Sequence, residues 1–217
     1  NDVAALQAAM HDDVGLVLLE PILGEGGVIP LASEFLAAAR ELDALLCLDE
    51  IQCGVGRTGT FFAFEQAGVR PDLVTLAKAL GNGLPIGALL VADEVADAFA
   101  PGDHGSTFGG NPVACAAACA VVEAIDDDLL ERVRAHGATL VAELATLPGV
   151  EEVRGRGLLL GAVLERSAAE VVDACRERGL LVLSAGEHVL RLAPPLTIGA
   201  PELEEAVDVL HAALSSL

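Results

Sequence analysis

Positive charge is scarce in this chain, and lysine is almost missing. Eleven of its twelve basic residues are arginine; Lys78 is the one lysine. Against 33 acidic residues this leaves a formal charge of −21. A surface of that sign repels phosphate backbones, which argues against nucleic-acid binding. Long apolar runs are also absent. None approaches the roughly 18 residues of a membrane-spanning helix, so no membrane association is expected. The opening Asn1-Asp2-Val3 has neither a basic stretch nor an apolar one behind it, so no secretory leader is expected. Cysteine is sparse and odd in number, five in apolar surroundings. That fits reduced thiols of a cytoplasmic protein better than a disulfide framework. Cys115 and Cys119 stand one helical turn apart, but no histidine or third cysteine joins them. They read as small core residues, and no metal site is expected.

Hydrophobic residues make up 53% of the 217 positions, enough to bury a sizeable core in one large domain or a domain with a smaller partner. Short apolar runs at 14–20, 44–49, 72–77 and 87–92 predict buried strands, with a loop over 21–30 and a helix over 32–42 between the first two. Strands that alternate with crossovers imply an α/β fold with a mixed, mostly parallel sheet. After 101–110 the pattern changes. Two helices, 112–125 and 127–147, lead into strands at 150–154, 158–164, 180–183 and 189–192 with helices at 168–178 and 201–214. This is a small α+β unit, and the boundary is placed at 112/113.

Ligands of open α/β sheets bind beyond the carboxyl ends of the strands. Three successive predicted strands here end in reactive residues: Glu20 leading to Glu25, Asp49 leading to Gln52, and Lys78. An amine can lose its proton and form a Schiff base, whereas a guanidinium cannot. An acid and an amine on adjacent strand ends can face one ligand or simply form a salt bridge. The glycine-rich run Ala79–Gly87 directly after the lysine favours a ligand, since glycines let backbone approach a planar group.

The segments LDEIQCGVGRTG (48–59), TLAKALGNGLPIGA (75–88) and HGSTFGGNP (104–112) resemble the class III, ornithine-type aminotransferases. EPILGEGGV (20–28) and RLAPPLTI (191–198) fit the same family, so the resemblance runs in order along essentially the whole chain. It implies the pyridoxal 5'-phosphate-dependent transferase fold type I. Residues 1–112 would be the later part of the large cofactor domain and 113–217 the small C-terminal domain. It further implies that Lys78 holds the cofactor covalently and then shuttles the substrate proton. Asp49 would pair with the pyridine nitrogen. Ile51 would pack on the ring, and Gln52 would bond the phenolic oxygen side. Thr107, with Ser106 beside it, would bind the cofactor phosphate of the neighbouring subunit, making a homodimer with shared sites. Glu25 and Arg191 would form a gating pair. In it the glutamate holds the arginine, then releases it to clamp the α-carboxylate of 2-oxoglutarate. The alternative for Arg191 is a surface strand residue. Arg154-Gly155-Arg156-Gly157 reads as a turn between strands.

Among family members the lysine segment looks most like acetylornithine aminotransferases. The implied reaction is N-acetylornithine with 2-oxoglutarate giving N-acetylglutamate semialdehyde and glutamate, in arginine biosynthesis. Alternatives are ornithine, succinyl-diaminopimelate or 4-aminobutyrate aminotransferase, a related aminomutase, or a catalytically incomplete fragment. The sequence departs from the family in three ways. The glycine-threonine phosphate loop, the stacking aromatic and the second carboxylate arginine of the N-terminal half have no candidates. The crossover at 40–44 is short, and Cys53 stands where threonine is common. Residues 1–217 alone are therefore expected to bind the cofactor weakly and to lack activity.

Overall fold

The computed structural model describes residues 1–217, which divide by their contacts into two compact units. The first unit comprises 1–21, 31–55 and 60–126. It is built on four strands, β1 (Leu16–Leu19), β4 (Leu45–Asp49), β5 (Leu73–Leu76) and β6 (Ala88–Val91), hydrogen-bonded in that order. β1, β4 and β5 run parallel; β6 is antiparallel to β5. In register, Asp49 stands opposite Thr75. β4 shows the continuous burial of a central parallel strand, with Leu46, Cys47 and Leu48 all buried. Helix α1 (Val3–Ala8) was not anticipated. It is only six residues long and starts from Asp2, whose carboxylate accepts from the Ala5 N–H at 2.9 Å. It packs with α2 (Ser33–Arg40), whose Phe35, Leu36 and Ala39 bury against Leu46 and Leu48. Arg40 then closes the short crossover by donating to Asp72 at 2.7 Å.

Helix α3 (Pro112–Ala124) belongs to this first unit: Ala118 packs with Val55, Val74, Leu76 and Leu80. The contact boundary thus falls after Asp126, one helix later than the 112/113 division read from the sequence. The loss of strand periodicity at 101–110 marks a change of element, not of unit. Cys115 is half-buried but Cys119 is exposed, so only one of the pair has any core character. Alanine and valine run all round α3, so periodicity could not say which face turns inward.

The second unit comprises 22–30, 56–59 and 127–217. Its sheet has the order β7-β8-β10-β9 and is antiparallel throughout: β7 (Val150–Arg156), β8 (Leu159–Leu164), β9 (Leu183–Ser184) and β10 (Val189–Leu192). Helices α4 (Asp127–Leu144), α5 (Ala168–Glu177) and α6 (Ala200–Ser215) cover one face, with Leu140, Leu164, Val171, Leu190 and Leu210 in the core. The strand expected over 180–183 shrinks to Leu183–Ser184, and Leu181 is 84% exposed. Leu180 and Val182 still pack against the core, but only Leu183 and Ser184 pair with β10, so the apolar alternation outruns the strand.

The expected loop 21–30 contains a small hairpin, β2 (Ile22–Leu23) with β3 (Ile29–Pro30). It belongs with the second unit although its neighbours in sequence do not. The segment 56–59 is placed likewise. Arg57 donates to the Leu158 and Pro194 carbonyls, and Arg134 donates to the Gly59 carbonyl. Burial lowers the pKa of Arg57 to about 10, which still leaves it charged at neutral pH. No helix is long and apolar enough to cross a membrane.

Candidate active site

In the first unit the parallel strands β4 and β5 deliver Asp49 and Lys78 to the same edge of the sheet. Asp49 is the last residue of its strand. Its Oδ1 accepts from the Ile51 N–H at 2.9 Å, a local turn that fixes the carboxylate's direction. Lys78 opens a single 3-10 turn immediately beyond β5 and is exposed. Its backbone has φ +44°, the left-handed region that a residue with a side chain adopts at a cost of about 1–3 kcal/mol. Asn82, four residues on, sits at φ +42°. The lysine is thus held in a strained bend, where glycine would be the easy choice.

The glycines behind it also answer to the loop itself, most clearly at Gly81. A Cβ there would overlap the Leu84 carbonyl and come within 2.7 Å of Ile86 Cγ2. Gly81 is required by the loop's own folding back. At Gly83, with φ +108°, the space is open.

Two features of this edge escaped the sequence. Thr75, opposite Asp49 and three residues before Lys78, has a buried hydroxyl with no hydrogen-bond partner. Buried polar groups are normally satisfied, so an orphan beside two reactive side chains marks a place where a ligand belongs. Glu50 is 1% exposed, and its two oxygens accept from the Ala63 and Phe64 N–H groups, each at 2.9 Å. Burial raises its pKa. It ties down the loop that carries Ile51 and Gln52, both half-buried. Gly54 cannot bear a side chain because a Cβ would lie 2.7 Å from the Glu50 carbonyl oxygen.

Ser106 and Thr107 lie in the fully exposed stretch 101–110 before α3. Ser106 Oγ accepts from the Gly109 N–H at 3.1 Å, and Asn111 caps α3 through the Ala114 N–H. The segment borders a hollow of about 390 Å³ with Pro85, Gly87 and His104.

In the second unit the structure joins two residues 166 positions apart. Arg191 Nη1 donates to Glu25 Oε1 at 2.7 Å. The arginine side chain is only 11% exposed whereas the glutamate's is 70% exposed. The arginine is thus held within the protein, whereas the glutamate faces solvent. Arg191 also borders an apolar hollow of about 380 Å³ with Leu183, Pro194 and Ile198.

The donor set at the β4–β5 edge suits pyridoxal phosphate: an amine on a strained bend, a carboxylate on the neighbouring strand, and an unpaired hydroxyl opposite it. The carboxyl ends of the strands in a mixed sheet are where α/β folds bind their ligands. Comparison with known proteins specifies it further. The family described as aminotransferase class III matches residues 1–214, and the chain belongs to that family.

An acetylornithine aminotransferase of Gloeobacter violaceus is 49% identical over 228 residues, covering 100% of this chain and 57% of its own length. One from Mycolicibacterium smegmatis is 49% identical over 224 residues with the same coverage. Among solved structures, N-acetylornithine aminotransferase of Stenotrophomonas maltophilia superposes with a TM-score of 0.91 at 44% identity, over 99% of this chain and 60% of that one. Ornithine delta-aminotransferase of Plasmodium falciparum gives 0.91 at 33% identity, over 99% and 58%. The fold is therefore the fold type I of these aminotransferases, and the chain spans a little over half the length of the relatives it matches.

Proposed function

We propose that this chain is the part of an acetylornithine aminotransferase that anchors pyridoxal 5'-phosphate through Lys78. The observation that carries the reading is the strained bend at Lys78 beyond β5, beside Asp49 at the end of β4. The first unit corresponds to the large cofactor domain and the second to the small domain. The bound cofactor supplies an electron sink for the substrate's α-carbon. The protein's own groups do the rest. The Lys78 amine would hold the cofactor covalently, and the same amine, once free, would carry the proton to and from the substrate's α-carbon. The Asp49 carboxylate, aimed by the Ile51 N–H, would hold a proton on the pyridine nitrogen. Ile51 would pack on the ring, and Gln52 would bond its phenolic oxygen side. The Thr75 hydroxyl gains the partner it lacks. Ser106 and Thr107 serve the phosphate of the neighbouring subunit, so the working form is a homodimer.

Glu25 and Arg191 form the gate. The pair stays closed while N-acetylornithine is processed. When it opens, the guanidinium binds the α-carboxylate of 2-oxoglutarate in a bidentate fashion. The products are N-acetylglutamate semialdehyde and glutamate.

Borohydride reduction of the holoenzyme followed by peptide mapping tests the anchor. Label is expected on the peptide containing Lys78, and Lys78→Arg is expected to abolish turnover because a guanidinium cannot make the link. Label elsewhere would overturn the assignment.

A further inference from the structure

We infer that Arg154 is a positioning residue that holds Glu25 on Arg191, an inference that rests on the gate proposed above. The loop between β2 and β3 carries Glu25, and three contacts within the second unit fix it. Arg154, in β7, donates from Nε to the Gly27 carbonyl at 2.7 Å. Its side chain is 24% exposed and is steadied from the other side by Glu152 at 3.5 Å. Gly27 has φ +108°, and a Cβ there would lie 2.7 Å from Arg154 Nη2, so the guanidinium occupies the space a side chain would take. The next residue, Val28, is completely buried at φ +53°. It sits where Gly161 has no side chain: a Cβ on Gly161 would lie 2.9 Å from Val28 Cβ. Gly161 is the cross-strand partner of Arg191.

The strained Val28, with Gly27 before it, is thereby pressed onto the strand position next to the gating arginine. Glu25, two residues earlier, reaches Arg191 from that anchored base. A left-handed valine persists only where its surroundings over-determine it. Here the Arg154 hydrogen bond and the gap at Gly161 supply that constraint. The apparent turn motif at 154–157 therefore has a task of its own: its first arginine stiffens the loop from which the gate swings. With Arg154 in place the closed pair is the ground state. Without it the loop loosens, Glu25 is a poorer keeper, and Arg191 is available to carboxylates at the wrong time.

The two half-reactions, followed separately by the absorbance of the holoenzyme, test this for the native protein, Arg154→Met, Glu25→Gln and the double variant. Hydrogen exchange of the 24–28 amides is measured on the same proteins. In Arg154→Met the kcat/KM for the amino donor is expected to fall about tenfold relative to that for the 2-oxo acid, the scale of one charge-assisted hydrogen bond. The loss should lie chiefly in KM, with faster exchange at 24–28. In the Glu25→Gln background the same change should add little, because both act through one contact. Equal losses in both half-reactions, full additivity, or unchanged exchange would each overturn the proposal. If Glu25→Gln leaves the ratio of half-reactions unaltered, the gate itself fails. The exchange data then decide whether Arg154 pins the loop.

Discussion

At the scale of single residues, the carboxylates of this acidic chain divide by what surrounds them. Glu50 is buried without a cation and relies on two backbone N–H groups, so burial raises its pKa. Asp72 experiences the same upward push from burial, but the Leu46 N–H and Arg40 guanidinium, both 2.7 Å from its Oδ2, outweigh it and the net shift is downward. A carboxylate with a depressed folded-state pKa stabilises the fold above its unfolded pKa. That contribution disappears as pH falls through the folded value. Asp72→Asn is expected to cost about 1.5–3 kcal/mol at neutral pH, as for a hydrogen bond to a charged group. It should also flatten the acid limb of a urea-midpoint against pH curve. A variant that loses stability equally at all pH values would show that packing, not charge, matters there.

At the scale of elements, close approaches decide where substitutions fail. Gly137 lies in the middle of α4, where alanine would gain about 0.5–1 kcal/mol in helix propensity. Its Cβ would overlap the carbonyl of Gly157 at the β7–β8 turn, which is backbone and cannot step aside. Gly157 is itself pressed against Thr58 and the Arg57 carbonyl. Gly137→Ala is therefore expected to destabilise by about 1–3 kcal/mol, the usual cost of overpacking. Thermal unfolding measures it, and an unchanged or raised Tm would mean that α4 can shift away from the turn. From sequence alone Gly137 looks like a mild flaw in a good helix. The motif 154–157 looks like a mere turn for the same reason: only the fold brings 27, 57 and 137 to it.

At the scale of the molecule, the proposed homodimer sets hydrophobic association against charge. The −21 charge that these 217 residues bring to each copy adds a repulsion that is screened within a Debye length of about 8 Å at physiological salt. Sedimentation of the holoenzyme is expected to show a dimer whose dissociation constant falls as salt is raised. A fully active monomer at working concentration would remove the shared site and with it the role given to Thr107.

What the sequence determined by itself was chemistry and local order. One lysine among eleven arginines singled out Lys78 as the side-chain amine proposed to make the covalent link. Apolar runs bounded by glycine and acid located β1, β4, β5 and β6 to within a residue or two, because buried strands need such runs whatever surrounds them. The motifs around Asp49, Lys78 and Thr107 carried the family, which the comparisons bear out. The tertiary structure decided everything that depends on distance between remote segments. It paired Glu25 with Arg191 and set Gly27 on Arg154. It turned Glu50 inward to cap a loop, left the Thr75 hydroxyl without a partner, and placed 22–30 and 56–59 in the second unit. The physical reason is that periodicity and propensity are set by neighbours a few residues apart. Hydrogen bonds between loops and the steric room around a glycine are set by whichever backbone the folded chain brings alongside, and no local pattern records that.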